Sequence, residues 1–377
     1  MAVYDMQETT YDDTTKNYQV ISDVINIIDP RDTPVIAALG GLDSARSKFN
    51  IAMNGTKIEI LEDTLAPMTG SCNATTTIAT DATSAVVTDA SVFKKGHVLK
   101  IDSEYLVVSG VDTTNNTLSF YSRSYGGTNA THASTSSIEI VGMARLEGAD
   151  ADFGALTDIT APYNYTSIFE EAINISGTEQ VLTKHGITNE YEYQAAKKIP
   201  ELMRLVEKAI FNGIRAQGSK TTPRSFGGLG TFITDNTVAA GGAIAKSHID
   251  TVMEYIYLDG GNPDLLVLNP SIAQDIKSLI DSSSFVTLSY ENNQIGMMPI
   301  QRVVTQYGTL QVLMSRHCAT SIAYVLDSRK VGLYTLRPFG WKALSEIGDS
   351  KRGEVVGELS LLVANDMSHG KITGITT

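Results

Sequence analysis

The side chains best placed to do chemistry gather in RSYGGTNATHAS, residues 123–134, where Arg123, the pair Gly126-Gly127, several hydroxyls and His132 lie close together. An enzyme could use such a set as an anion-binding cation, a pliant turn and a general base. A phosphate cradle needs its glycines to open a helix, and no helical pattern follows before SSIEIVG. His132 has no second histidine or carboxylate at ligand spacing, so the stretch reads as a turn. Arg316-His317-Cys318 is the one place where Cys and His adjoin. On a strand such neighbours face opposite sides and cannot form a nucleophile and base, so Cys318 reads as a packing residue. The carboxylate pairs Asp150 and Asp152, and Glu170 and Glu171, sit in polar runs with no sign of burial, which leaves no ground for a perturbed proton affinity. SFGGLGTF, residues 225–232, has glycines but neither the preceding strand nor the following helix of a phosphate site, and reads as a flexible connection. GxSxG, P-loop, HExxH and Rossmann patterns are absent. No catalytic, metal or cofactor-binding residue is assigned, and no cofactor is expected.

The elements that would have to position these residues are bounded first by composition. A chain of 377 residues with 42% hydrophobic content supports two or more cores. With 42 acidic against 29 basic residues, the net charge of −13 argues against a surface built to grip nucleic acid. The two cysteines, Cys72 and Cys318, make neither a disulfide framework nor a CxxC zinc pattern, and both read as ordinary thiols. No run is long and apolar enough to span a membrane, and the start lacks the pattern of a secretion signal, so the chain is expected to be soluble and made in the cytosol.

Along the chain, VISDVINIIDPRDTPVIAALGG reads as a kinked arm with a helical turn on each side of its prolines. KIEILEDTLAP alternates like a strand running into a loop. From residue 75 to 142 the composition turns to Thr, Ser, Ala and Asn, and the short runs SAVVTDA, HVLKIDSEYLVVSGVD, TLSFYSR and SSIEIVG, with turns at Asp102-Ser103 and Asn115-Asn116, describe a small all-β module. The strand grammar resumes in ARLEGADADFGALTDITAPYNYTSIFEEAINISGTEQVL, as though one hairpin carried the module at its tip. ITNEYEYQAAKKIPELMRLVEKAIFNGIRAQG predicts a long helix from an Asn189 cap to Gln217, kinked at Pro200, with an apolar stripe of Ile199, Leu202, Met203, Val206, Ala209, Ile210 and Ile214. SHIDTVMEYIYLDG and SIAQDIKSLI, the latter capped by Ser271, predict helices around the buried strand DLLVLNP. LQVLMSR, SIAYVLD, KVGLYTL, EVVGELSLLVAN and KITGI predict further strands, which together make an α+β lobe.

This order of parts resembles the major capsid protein of tailed bacteriophages. The resemblance rests on IEILEDTLAP paired with ARLEGADADFG, on YNYTSIFEEAINISGTEQ leading into the long helix, on FNGI followed by GGLGTFI, and on DLLVLNPSIAQDIKSLI. These look most like the subgroup containing podovirus-type and related long-headed phage shells. The resemblance implies an N-terminal arm over residues 1–47, E-loop limbs over 48–74 and 143–168, and an inserted β-rich domain over 75–142 on the outer surface. It further implies a peripheral domain over 169–244 and 345–377 with a spine helix at 189–217, and an axial domain over 245–344. The implied function is structural and not enzymatic: self-assembly into hexamers and pentamers of an icosahedral head that encloses double-stranded DNA without specific binding. The implied partners are other copies of the chain, with scaffolding, portal and decoration proteins, and no membrane. Many relatives begin with a long helical scaffolding segment; the short arm here implies a separate scaffold or none. No residue matches the Lys-Asn cross-linking chemistry of some relatives. The alternatives are a decoration or tail protein built around the β module and a hydrolase using His132 or His317.

Overall fold

The computed structural model describes residues 33–51, 55–73, 77–150, 158–182, 187, 189–282 and 302–376. Most of the arm and residues 283–301 lie outside them, and so does Asp152. The chain divides into two units, one of residues 61–161 and one of residues 1–60 with 162–377.

In the first unit, period-two alternation builds a six-stranded antiparallel sheet. Its order is Thr69–Ser71, Ser137–Met143, His97–Ile101, Glu104–Asp112, Thr117–Ser122, Ser84–Val86. Leu99, Ile101, Leu106, Val108, Leu118, Phe120, Ile138 and Ile140 all turn to one side, where Cys72, Val87 and Phe93 complete the core. The left-handed residues Asp102 and Asn116, with φ of 53° and 50°, make the tight turns between strands. The sheet starts at Thr69, before the change of composition at residue 75, because strand pairing with Ser137–Glu139 needs backbone and not side-chain type.

In the second unit, the helix Glu190–Asn212 is capped by the Asn189 side chain, which accepts from the amides of Tyr191 and Glu192 at 3.1 and 3.4 Å. It runs through Pro200 for 23 residues, about 35 Å, and stops five residues short of the Gln217 that its sequence suggests. The stop is a backbone crossing. The Gly228 amide donates to the Gly213 carbonyl at 2.8 Å, and a Cβ on Gly213 would stand 2.6 Å from the Phe226 oxygen. SFGGLGTF is therefore not a flexible connection: Phe226, Gly227, Gly228 and Leu229 are buried, and the short helix Leu229–Phe232 follows. The apolar stripe is narrower than its sequence pattern. Leu202, Val206 and Ile210 are buried, whereas Ile199 is 47% and Ile214 74% exposed, the latter because it lies beyond the helix end.

That helix shares one core with strand residues from two sheets. Leu333, Leu359, Leu361 and Val363 come from the long antiparallel strands Val331–Leu344 and Ser350–Val363, and the strand Ser167–Ser176 completes that sheet. Leu265, Val267, Tyr324 and Leu326 come from one face of a mixed six-stranded sheet ordered Thr237–Gly242, Gly370–Ile375, Ala323–Leu326, Leu265–Leu268, Gly308–Met314, Arg302–Thr305. On its other face Leu266, Leu268 and Val325 pack under the helices Lys246–Leu258 and Pro270–Ser282. LLVL is thus buried on both sides, as its unbroken apolar run requires. The second of these helices is capped by Asn269, whose side chain accepts from the Ser271 amide at 3.1 Å, and not by Ser271. Strand Lys57–Glu59 pairs antiparallel with Tyr163–Tyr165. The helical turns Pro34–Ala38 and Ser44–Phe49 are held by Lys48, whose ammonium donates to the carbonyls of Leu39, Ser328 and Val331 at 2.6 to 2.7 Å. No described helix is long and apolar enough to cross a membrane.

Candidate functional site

Of the stretches singled out in the sequence, RSYGGTNATHAS meets the most charged partners. Glu104 follows the Asp102-Ser103 turn at an inward position of its strand, in phase with Leu106 and Val108, and is 0% exposed. Arg123 meets it with a fork, Nε to Oε1 at 2.7 Å and Nη2 to Oε2 at 2.8 Å. The same guanidinium donates to the carbonyls of Ala79, Ala82 and Ala130. The amides of Ser124 and Ala130 donate to the Glu104 carboxylate at 3.1 and 3.0 Å. His132 lies buried between two carboxylates, Nδ1 2.8 Å from Asp102 Oδ2 and Nε2 2.8 Å from Glu104 Oε2. The absence of a nearby carboxylate, inferred from spacing, is thus corrected by the fold: the loop between the non-adjacent strands Thr117–Ser122 and Ser137–Met143 brings His132 to Asp102 and Glu104, some thirty positions away in sequence. The one signal in the sequence was a glutamate at an inward phase.

Burial would push the Glu104 carboxyl up, but the Arg123 fork, the Ala130 amide and His132 outweigh it and hold the group down at about 2. Both ring nitrogens of His132 are spent on carboxylates, and neither of those contacts comes from a hydroxyl or thiol that it could activate. The cluster ties the loop to the sheet at many points at once. Gly126, with φ of 81°, turns the chain inside that loop.

The other candidates have surroundings that do not suit catalysis. Arg316, His317 and Cys318 lie in a turn after the strand Gly308–Met314, and not on a strand. The Cys318 thiol is buried, donates to the Ile322 carbonyl and is pushed up to about 12 by its burial. Burial, then Arg204, Arg316 and Lys208, lower the proton affinity of His317. Asp150 and Glu170 are exposed, and Glu171 faces Lys198 at 3.3 Å.

A second buried carboxylate, Glu358, was not singled out in the sequence. It accepts from the Thr166 hydroxyl at 2.6 Å, from Arg337 at 3.1 Å and from Arg224, joining three elements of the larger unit. Burial pushes it up, and Thr166 and Arg224 hold it below its usual range. Like the Glu104 cluster, it has the geometry of a structural clamp.

Solved capsid structures are similar to this fold. The capsid of a native GTA particle has a TM-score of 0.52 at 10% identity, with 96% of each chain covered. A structure from Microbacterium phage Oxtober96 gives 0.48 at 11% identity over 95% of this chain and 96% of that one. The cyanophage A-1(L) capsid gives 0.49 at 11% identity over 63% and 85%. No curated protein sequence matches significantly. The fold is α+β and of the kind that builds phage capsids. The model of the SU10 major capsid protein family matches residues 7–376, and the chain belongs to that family, the major capsid protein of a phage head.

Proposed function

We propose that the chain assembles with its own copies as hexamers and pentamers into an icosahedral head around double-stranded DNA, without sequence-specific contact and without an enzymatic role. The observation that carries this reading is the family match across residues 7–376. The parts would then be an N-terminal arm over 1–47, E-loop limbs over 48–74 and 143–168, and a β-rich domain inserted over 75–142 that faces outward. The helix Glu190–Asn212 would be the spine of a peripheral domain over 169–244 and 345–377. Residues 245–344 would form the axial domain. Support for the limbs comes from their side chains: Leu61, Leu65, Met68, Leu146 and Ile159 are exposed, Leu65 at 95%, on chain that carries no core of its own. Such residues gain stability only when another surface covers them. Synthesis in the host cytoplasm and residence in the virion follow from this role. Electron microscopy and sedimentation of the purified chain test it: closed shells built of capsomers are expected, and a protein that stays monomeric at high concentration would refute it.

A further inference from the structure

Of the basic residues between positions 61 and 161, Arg123 is committed to Glu104, while Lys94, Lys95 and Arg145 stand together at one corner of the β unit. Backbone contacts fix their closeness. The His97 amide donates to the Lys94 carbonyl at 3.1 Å, and the Ala144 amide donates to the Gly96 carbonyl at 2.7 Å. Gly96, with φ of 90°, turns the two lysines against Arg145, and a Cβ there would stand 3.2 Å from Arg145 Cγ. Lys95 and Arg145 are exposed and Lys94 is half-buried. Arg145 donates to the backbone carbonyl of Asp150 and not to its carboxylate, and none of the three cations makes an ion pair among the described residues. Met143, paired with His97 and 58% exposed, adds an apolar side chain to the corner. The larger unit carries a surface of the opposite kind. Its long strands Val331–Leu344 and Ser350–Val363 are joined by residues 345–349, where Glu346, Ile347 and Asp349 are exposed, Ile347 at 66%. Neither carboxylate makes an ion pair among the described residues, and the flanking cations are held elsewhere: Lys342 by Glu354 at 3.6 Å, and Lys351 over the Tyr191 ring at 4.3 Å.

We propose that the corner of Lys94, Lys95 and Arg145 on one copy grips the acidic hairpin tip at residues 345–349 of a second copy, an inference that rests on the reading of the chain as a self-assembling shell subunit. Charge complementarity selects this occupant, because cations beside one exposed apolar side chain meet carboxylates beside another. Leu146, next to Arg145 and 64% exposed, continues the corner into the limb surface assigned above to docking on a neighbour. Exposed ion pairs are individually weak, so the latch acts by orienting partners and by being repeated at every copy in a shell. Its two surfaces differ, so the contact runs head to tail, the kind that closes rings.

The test is assembly of the full chain, followed by sedimentation and electron microscopy at a protein concentration just sufficient for the parent to form shells. Lys94→Glu/Lys95→Glu and Glu346→Lys/Asp349→Lys should each lose closed shells. The four substitutions together should restore them, because the pairs are remade with their signs exchanged. Lys220→Glu/Lys246→Glu alters the charge by as much as the corner variant, at exposed positions elsewhere, and should assemble like the parent. A folding defect at the corner would not be repaired by substitutions at the tip, so the rescue reports contact and not folding. Trp341, beside Tyr191 in the same sheet as the tip, should unfold in the tip variant as it does in the parent. Normal shells from both reversed variants, or no rescue by the fourfold variant, would overturn the latch and leave the shell reading intact. A parent that forms no shells at any concentration would remove both. A corner variant that assembles normally but no longer binds a short DNA duplex that the parent binds would also overturn the latch, since the corner would then be a phosphate site.

Discussion

At the scale of single residues, what resembles an active site is a set of buried charges that must be kept together. Removing one partner of such a set leaves the other charged and without its donors, at a typical cost of about 3 to 5 kcal/mol. Glu104→Gln and Arg123→Ala should therefore each destabilise the β unit by about that amount, read as loss of amide protection in strands Glu104–Asp112 and Thr117–Ser122. An effect under about 1 kcal/mol would mean that the cluster is not the clamp its hydrogen bonds describe. The thiols give a second residue-level expectation. Cys72 and Cys318 are both buried and both held above the ordinary thiol range by burial, Cys318 at about 12. A disulfide reagent at mildly alkaline pH should find no fast-reacting thiol in the folded chain and two after denaturation, so a fast native reaction would contradict the packing. The sequence showed Arg123 and His132 as a suggestive group but hid Asp102 and Glu104, because a loop that crosses between non-adjacent strands makes its contacts far along the chain and leaves no mark in local spacing. Glu358 stayed hidden for the same reason, since its partners Thr166, Arg224 and Arg337 come from distant segments.

At the scale of elements, periodicity located strands and helices well and their ends poorly. Val206 and Ile210 follow helical spacing and share a core with Leu359 and Leu361, so the inward face of the long helix was legible. Its end was not, because the Gly213 and Gly228 backbones cross by close approach, a tertiary event that glycine permits and sequence pattern does not announce. The same crossing explains why a glycine-rich stretch that reads as a loop is buried. Leu202→Ala should cost about 2 to 5 kcal/mol in denaturant unfolding, and the exposed Lys208→Ala about 0.5 kcal/mol or less. Equal costs would mean that the buried face of the helix is misplaced. A methyl group at the crossing meets backbone and not a movable side chain, so Gly213→Ala should also destabilise, by about 1 to 3 kcal/mol.

At the scale of the whole molecule, the two units should answer acid at different points. His369 is buried in the larger unit, its Nδ1 accepting from the Asp327 amide at 3.2 Å, and burial lowers its proton affinity to about 4. Because the folded value lies below the unfolded one of about 6.5, its contribution is present above pH 6.5 and is lost as pH falls through 4. Glu104 in the β unit is depressed from about 4.5 to about 2, so its contribution is present above pH 4.5 and is lost only as pH falls through 2. Each shift corresponds to about 3 kcal/mol. Trp341, the one tryptophan, packs edge-on to Tyr191 at 5.5 Å and reports on the larger unit. Its emission in denaturant should show a midpoint that declines between pH 6.5 and 4, and His369→Gln should flatten that decline. A midpoint unchanged over that window would contradict the buried neutral histidine. Unequal sensitivity is consistent with units that fold by themselves, and the chain geometry permits their separation. The Ile60 amide donates to the Pro162 carbonyl at 3.0 Å, so the two ends left by removing residues 61–161 already lie side by side. A short Gly/Ser linker in place of those residues closes a small loop at little entropic cost. The shortened chain should keep the Trp341 unfolding curve of the parent, because Val206, Ile210, Leu359 and the rest of their core are untouched. It should also fail to form closed shells, since Leu61, Leu65, Met68, Leu146 and Ile159 would no longer be present to dock on a neighbouring copy. A shortened chain that loses its fold would show that the units are not independent, and one that still closes into shells would remove the docking role proposed for the limbs.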